Sequence, residues 1–182
     1  SENYTRVKNM LFGTATFAPE VESIMLIPAD KSSYPIATKT PTGIYMDQLE
    51  GSEIFLRLSE DTSRGLWYGI HNDMDKLNNV GSDYYSLSYI RLITDLYTHD
   101  TIGVLVIDIK KSLIENLTSE IDLADNQQIC FISHDGRVFI NGADQTESSA
   151  VTEQDFYQRL VSSDDVTGSD MVTFEGVKYL MT

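Results

Sequence analysis

The sequence holds one cysteine, one tryptophan and four prolines in 182 residues. A lone thiol cannot close an internal disulfide, so the fold must rest on packing and hydrogen bonds. Cys130 lies in the apolar run from Gln128 to Ile132, where a thiol is more often a small buried hydrophobe than a nucleophile. Basic residues are also scarce: 13 Lys and Arg stand against 28 Asp and Glu, a formal net charge of -15. Phosphate binding draws its affinity from Lys and Arg, so this balance excludes nucleic acid as a partner. It also argues against docking flat on anionic lipid. No apolar run approaches the roughly 20 residues that a spanning helix needs, and no signal peptide heads the sequence, so the chain is expected to be soluble. With 41% hydrophobic and 23% charged residues, the composition is that of a globular domain.

Motifs for chemistry are equally thin. His71, His99 and His134 stand far apart without the spacing of metal ligands, so neither a metal nor another cofactor is expected. Asp73 to Asn78 begins like a calcium loop, but Leu77 occupies a ligand position and the turn glycine is missing, leaving a solvated acidic loop. No glycine-rich phosphate loop and no nucleophile constellation can be assembled. Because a catalytic site needs convergent groups with matched roles, the domain is not expected to be an enzyme.

What is present is a repeated order of elements. Ile24 to Lys31 followed by Tyr34 to Thr38 reads as a hairpin, and Ile129 to Gly136 followed by Arg137 to Asn141 reads as another. Each is followed by a helical pattern: Ile54, Phe55 and Leu58 within Ser52 to Glu60, then Phe156, Tyr157, Leu160 and Val161 within Thr152 to Ser162. Tyr84 to Thr94 and Thr101 to Ile109 read as long strands joined by the turn Asp95 to Asp100, and the unbroken apolar Gly103 to Ile107 predicts a central strand. Ser112 to Ile121, with Leu113, Ile114, Leu117 and Ile121 as its apolar stripe, predicts a connecting helix. Met171 to Phe174 and Val177 to Met181 close the second copy, which lacks a counterpart of Thr101 to Ile109 and so predicts an open sheet edge.

This order predicts an α+β fold: PAS-like lobes, each a central antiparallel sheet flanked by helices, in tandem with the second lobe incomplete. The resemblance is to the double Cache family of bacterial extracytoplasmic sensor domains. It is carried by Leu66-Trp67-Tyr68, Ile93-Thr94-Asp95, Ile102 to Ile109 and the hairpin His134 to Ile140. It implies a stalk-helix remnant over 1–20, a first, membrane-distal lobe over 21–109, a connecting helix over 110–122 and a second, membrane-proximal lobe over 123–182. It further implies the ligand-sensing part of a membrane-bound histidine kinase, held outside the cell by transmembrane helices absent from this chain and paired as a homodimer in the full receptor.

Family members that sense amines and amino acids use an Arg, a Trp-Tyr pair, a further Tyr and an Asp. The resemblance places these at Arg64, Trp67, Tyr68, Tyr84 or Tyr85, and Asp108. The residue types suit a small polar ligand: a guanidinium fork for a carboxylate, aromatic faces and a carboxylate for an ammonium. Two residues, Gly65 and Leu66, separate Arg64 from Trp67 where the family has one, so a solvated loop cation is the alternative for Arg64. Core packing is the alternative for Trp67 and Tyr68, and a place near a helix N-terminus is the alternative for Asp108. Tyr84 and Tyr85 would face opposite sides of a strand, so one at most lines a pocket. The expected function is capture of an amino acid, amine or carboxylate in the first lobe. The alternatives are a chemoreceptor sensor, and a sensor that works through a protein partner without binding a ligand.

Overall fold

A computed structural model describes residues 2–39, 44–60, 65–69, 71, 73–77, 87–122, 130–132, 138–140, 155–162, 170–174 and 177–181. The chain forms two compact units, Ser1–Thr146 and Glu147–Thr182. The first is built on helix α1 (Glu2–Thr16), strands β1 (Val21–Pro28) and β2 (Ile36–Ala37), helices α2 (Met46–Glu50) and α3 (Glu53–Glu60), strand β3 (Gly65–Tyr68), helix α4 (Asp73–Leu77), strands β4 (Leu87–Thr94) and β5 (Thr101–Ile109), and helix α5 (Lys111–Ser119). The strands join in one antiparallel sheet ordered β2-β1-β5-β4-β3. This is an α+β, PAS-like arrangement.

The apolar run from Gly103 makes β5 the middle strand, flanked by β1 and β4 over most of its length. Side chains alternate across the sheet, so Val104, Val106 and Asp108 share one face with Met25, Ile27, Ile90 and Leu66. The short helices cover that face. Ile44, Met46 and Leu49 from α2 and its approach, Ile54 and Leu58 from α3, and Met74 from α4 complete a core whose members are at most 6% exposed. Burying each such side chain contributes about 1.5–3 kcal/mol. The spacing of three and four in α3 thus does what its pattern predicted. Gly103 is required where it stands, because a Cβ there would sit 2.7 Å from the Ile27 carbonyl oxygen across the ladder.

The opposite face is only partly covered. There α1 lays Leu11 against Ile24 and Ile36, with Val7, Ala15, Leu26, Leu105 and Ile107 packed around them. Between β4 and β5 the turn predicted over Asp95 to Asp100 is closed by the Asp95 carboxylate, which accepts the N–H groups of Tyr97 at 2.8 Å and Thr98 at 2.9 Å. Those amides hold its carboxyl below the ordinary value of 3.8, Thr98 contributing most.

Two readings are corrected. Asp73 to Leu77 is a single helical turn, not a solvated loop, and it buries Met74 at 1% exposure. In α5 the buried residues are Ile114 and Thr118, whereas Leu117, and Ile121 just past the helix, are more than half exposed. Thr118 can lie inward because its hydroxyl donates back to the Ile114 carbonyl at 2.8 Å.

Further along, β6 (Cys130–Ile132) pairs antiparallel with β7 (Val138–Ile140), the hairpin expected there. The second unit contains α6 (Asp155–Ser162), with Tyr157 buried, and the antiparallel pair β8 (Asp170–Phe174) and β9 (Val177–Met181).

Candidate functional site

On the helix-covered face, one row across the sheet departs from the apolar pattern. Tyr68 on β3 is in register with Ser88 on β4, Ser88 with Asp108 on β5, and Asp108 with Ser23 on β1. All four are at most 4% exposed, and the fully buried His71 follows Tyr68 by three residues. The neighbouring row of Leu66, Ile90, Val106 and Met25 is wholly apolar.

The row is wired by hydrogen bonds. Ser23 Oγ donates to Asp108 Oδ2 at 2.6 Å, and Ser88 Oγ donates to Asp108 Oδ1 at 2.5 Å. His71 Nδ1 accepts the Asp73 amide at 3.3 Å, which leaves the proton on Nε2, 2.7 Å from Ser88 Oγ. The direction is therefore set from His71 to Ser88 to Asp108. Tyr68 donates its hydroxyl to Asp73 Oδ2 at 3.2 Å and meets the His71 ring edge-on, centroids 4.8 Å apart. The Arg57 guanidinium lies 5.9 Å from the Tyr68 ring centroid, within reach of a cation–π attraction. The outcome is a buried carboxylate held as an acceptor by two hydroxyls, a geometry in which a further group entering its shell must donate.

The residues singled out from sequence divide three ways. Tyr68 and Asp108 come together in this row. Trp67 lies on the opposite face at 51% exposure, its ring tilted against that of Tyr89 with centroids 4.9 Å apart, because adjacent residues of a strand point to opposite sides. Arg64, Tyr84 and Tyr85 lie outside the described residues. Asp108 does not act as the cap of α5: the N-cap position is Lys110, whose amide bonds to the Glu20 carbonyl at 2.9 Å. Ser23, Ser88 and His71 escape a reading by spacing, since Ser23 and Asp108 are 85 positions apart. The signal they left is parity: a serine interrupting the inward positions of each of two apolar strands that flank the one carrying Asp108.

Among the described residues no cluster of three or more His, Cys, Asp or Glu could hold a metal ion, and no helix is long and apolar enough to cross a membrane. A cleft of about 610 Å³ beside α1, lined by Tyr4, Pro28, Tyr34 and their neighbours, shares no residue with the polar row.

No family model matches the sequence, and no curated protein does. Solved structures do match. One is the crystal structure of the extracellular domain of a proposed histidine kinase, rpHK1S-Z16, similar with a TM-score of 0.67 and 16% identity over 96% of this chain and 69% of that one. At that identity the likeness is one of fold.

Proposed function

We propose that this chain is the extracytoplasmic sensor domain of a transmembrane signalling receptor of the double Cache kind, a two-component histidine kinase being the preferred parent. In this reading the domain is non-catalytic and stands on the outer face of the cell membrane. The first lobe captures a small polar molecule carrying an amine, such as an amino acid. The observation that carries the reading is the buried Asp108 carboxylate, fixed as an acceptor on the face where a PAS-like sheet packs its helices. An ammonium group would replace or join a hydroxyl in its shell, with Tyr68 beside it. Arg64 and one of Tyr84 and Tyr85 are proposed for the ligand's carboxylate end. The sheet order and the described neighbour, an extracellular domain, support the receptor setting. Signalling then requires only that the ligand bind one conformation better than another.

The experiment is a thermal-shift and calorimetric screen of amino acids, amines, small carboxylates and sugars. An amine-bearing class should stabilise the protein, by about 2.7 kcal/mol at a hundred times its Kd, and Asp108→Asn should remove that response while the variant still unfolds cooperatively. A response that survives Asp108→Asn, or no response to any class, would sink the pocket. A second reading, action through a protein partner, draws on the dense apolar packing of the same face, where Ile44, Leu49, Leu58 and Ile90 are fully buried. A chemoreceptor parent differs only in the cytoplasmic part.

A further inference from the structure

The outer face of the sheet carries a group of side chains that the amine pocket does not use. Trp67, half exposed, packs against Tyr89 with the two rings tilted at 50° to one another. Tyr89 reaches across the sheet over Gly65, where any Cβ would collide with the Tyr89 hydroxyl. Gly65 therefore leaves the gap in which the tyrosine ring lies and on which the tryptophan rests. Gly65 is also the register partner of Arg91. Arg91 is exposed, shares this face with Tyr89 two positions away, and has no side chain opposite it on β3.

Arg91 makes no ion pair with any described residue, although the chain has 28 acidic side chains to offer. The positions around it on this face, Gly65, Trp67, Tyr89, Leu105 and Ile107, include no carboxylate. The group thus pairs an accessible aromatic surface with a guanidinium fork that meets no carboxylate among the described residues. Aromatic faces pack against flat rings and against the C–H faces of pyranose rings, and guanidinium binds carboxylate bidentately.

From this arrangement we infer that Trp67, Tyr89 and Arg91 form a second ligand site, on the sheet face opposite Asp108, that takes a ring carrying a carboxylate. The ring lies against Trp67 and Tyr89, and its carboxylate meets Arg91. A uronic acid and an aromatic acid both have this chemistry.

Trp67 is the chain's only tryptophan, so its fluorescence reports on this face alone. The experiment titrates the protein with D-glucuronate and D-galacturonate in one arm, benzoate and 4-hydroxybenzoate in another, and glucose as the uncharged control. A saturable change in emission with either acid class supports the site and identifies the source. In Arg91→Gln, which keeps the aromatic pair, that affinity should fall about tenfold or more. Gly65→Ala, which displaces Tyr89, should weaken it too, whereas Asp108→Asn should leave it unchanged. No saturable response to any acid overturns the inference, as does a response that Arg91→Gln leaves intact. A protein that self-associates with burial of Trp67 in sedimentation and quenching measurements also overturns it, because the face is then an interface between copies. Failure of the Asp108 pocket would leave this result standing, since the two sites share no residue.

Discussion

The two faces of the five-stranded sheet solve the same problem differently. The helix-covered face is closed by apolar residues from three short helices, and it carries one row of polar groups, Tyr68, Ser88, Asp108 and Ser23 with the nearby His71, tied by hydrogen bonds among themselves and to Asp73. The outer face is partly covered, among the described residues by α1 packed over β1, β2 and β5, and beyond α1 an aromatic pair and an arginine reach solvent. The difference teaches where each face spends specificity. Polar groups inside must satisfy one another to be tolerated. Those outside are free to wait for a partner.

Substitutions of graded severity can break or sharpen this contrast. Leu58→Ala empties a fully buried position on the covered face and should lower stability by about 2–5 kcal/mol in urea denaturation. Asp108→Ala leaves the Ser23 and Ser88 hydroxyls without their acceptor, and should cost about 2–4 kcal/mol in the same assay. If it costs nothing, the row is not a satisfied network. Ser88→Ala removes one donor to Asp108 and the acceptor of His71, for an expected loss of about 1–2 kcal/mol and a changed His71 tautomer signal in nitrogen NMR. Trp67→Ala, on the open face, should cost only about 0.5–1.5 kcal/mol, the value of its contact with Tyr89; a larger loss would mean that this face is structurally closed.

The smallest effect belongs to the β4–β5 turn. Asp95 has its carboxyl lowered from 3.8 by the Thr98 and Tyr97 amides. A depressed value contributes stability that is present above the unfolded pKa and is lost as pH falls through the lower folded one. Melting temperature followed downward from pH 6 should fall more steeply below about 4 in the parent than in Asp95→Ala.

Much of this architecture was legible in the residues, and the exceptions have physical causes. The unbroken apolar run Gly103 to Ile107 gave β5 its central place in the sheet, and the stripe of Ile54 and Leu58 gave α3 its inward side. The helices α2 and α4 have five residues each, too few to show a period, so Asp73 to Leu77 looked like a loop. β3 is a four-residue edge strand, recognisable only from its pairing with β4. In α5 the threonine hid the buried side behind a polar residue type that satisfies itself locally. The polar row was legible only in part: Asp108 and Tyr68 were singled out through the family resemblance, while Ser23, Ser88 and His71 join them only through register and hydrogen bonding. The alternation along β3 separates Trp67 from Tyr68, and it moves the tryptophan to the other side of the sheet.

The register of β1 with β5 has a mechanical consequence. Because the strands are antiparallel, the chain enters the sheet at Val21 opposite Ile109, beside the point where it leaves. Tension drawing α1 and α5 apart would therefore peel this ladder from one end instead of shearing it along its length. The first links to bear that load are the Lys110 bonds to Glu20 and Pro19, and close behind them the Ser23–Asp108 hydrogen bond. A buried carboxylate just behind the leading edge of a zipper is the next link to resist once the first bonds give.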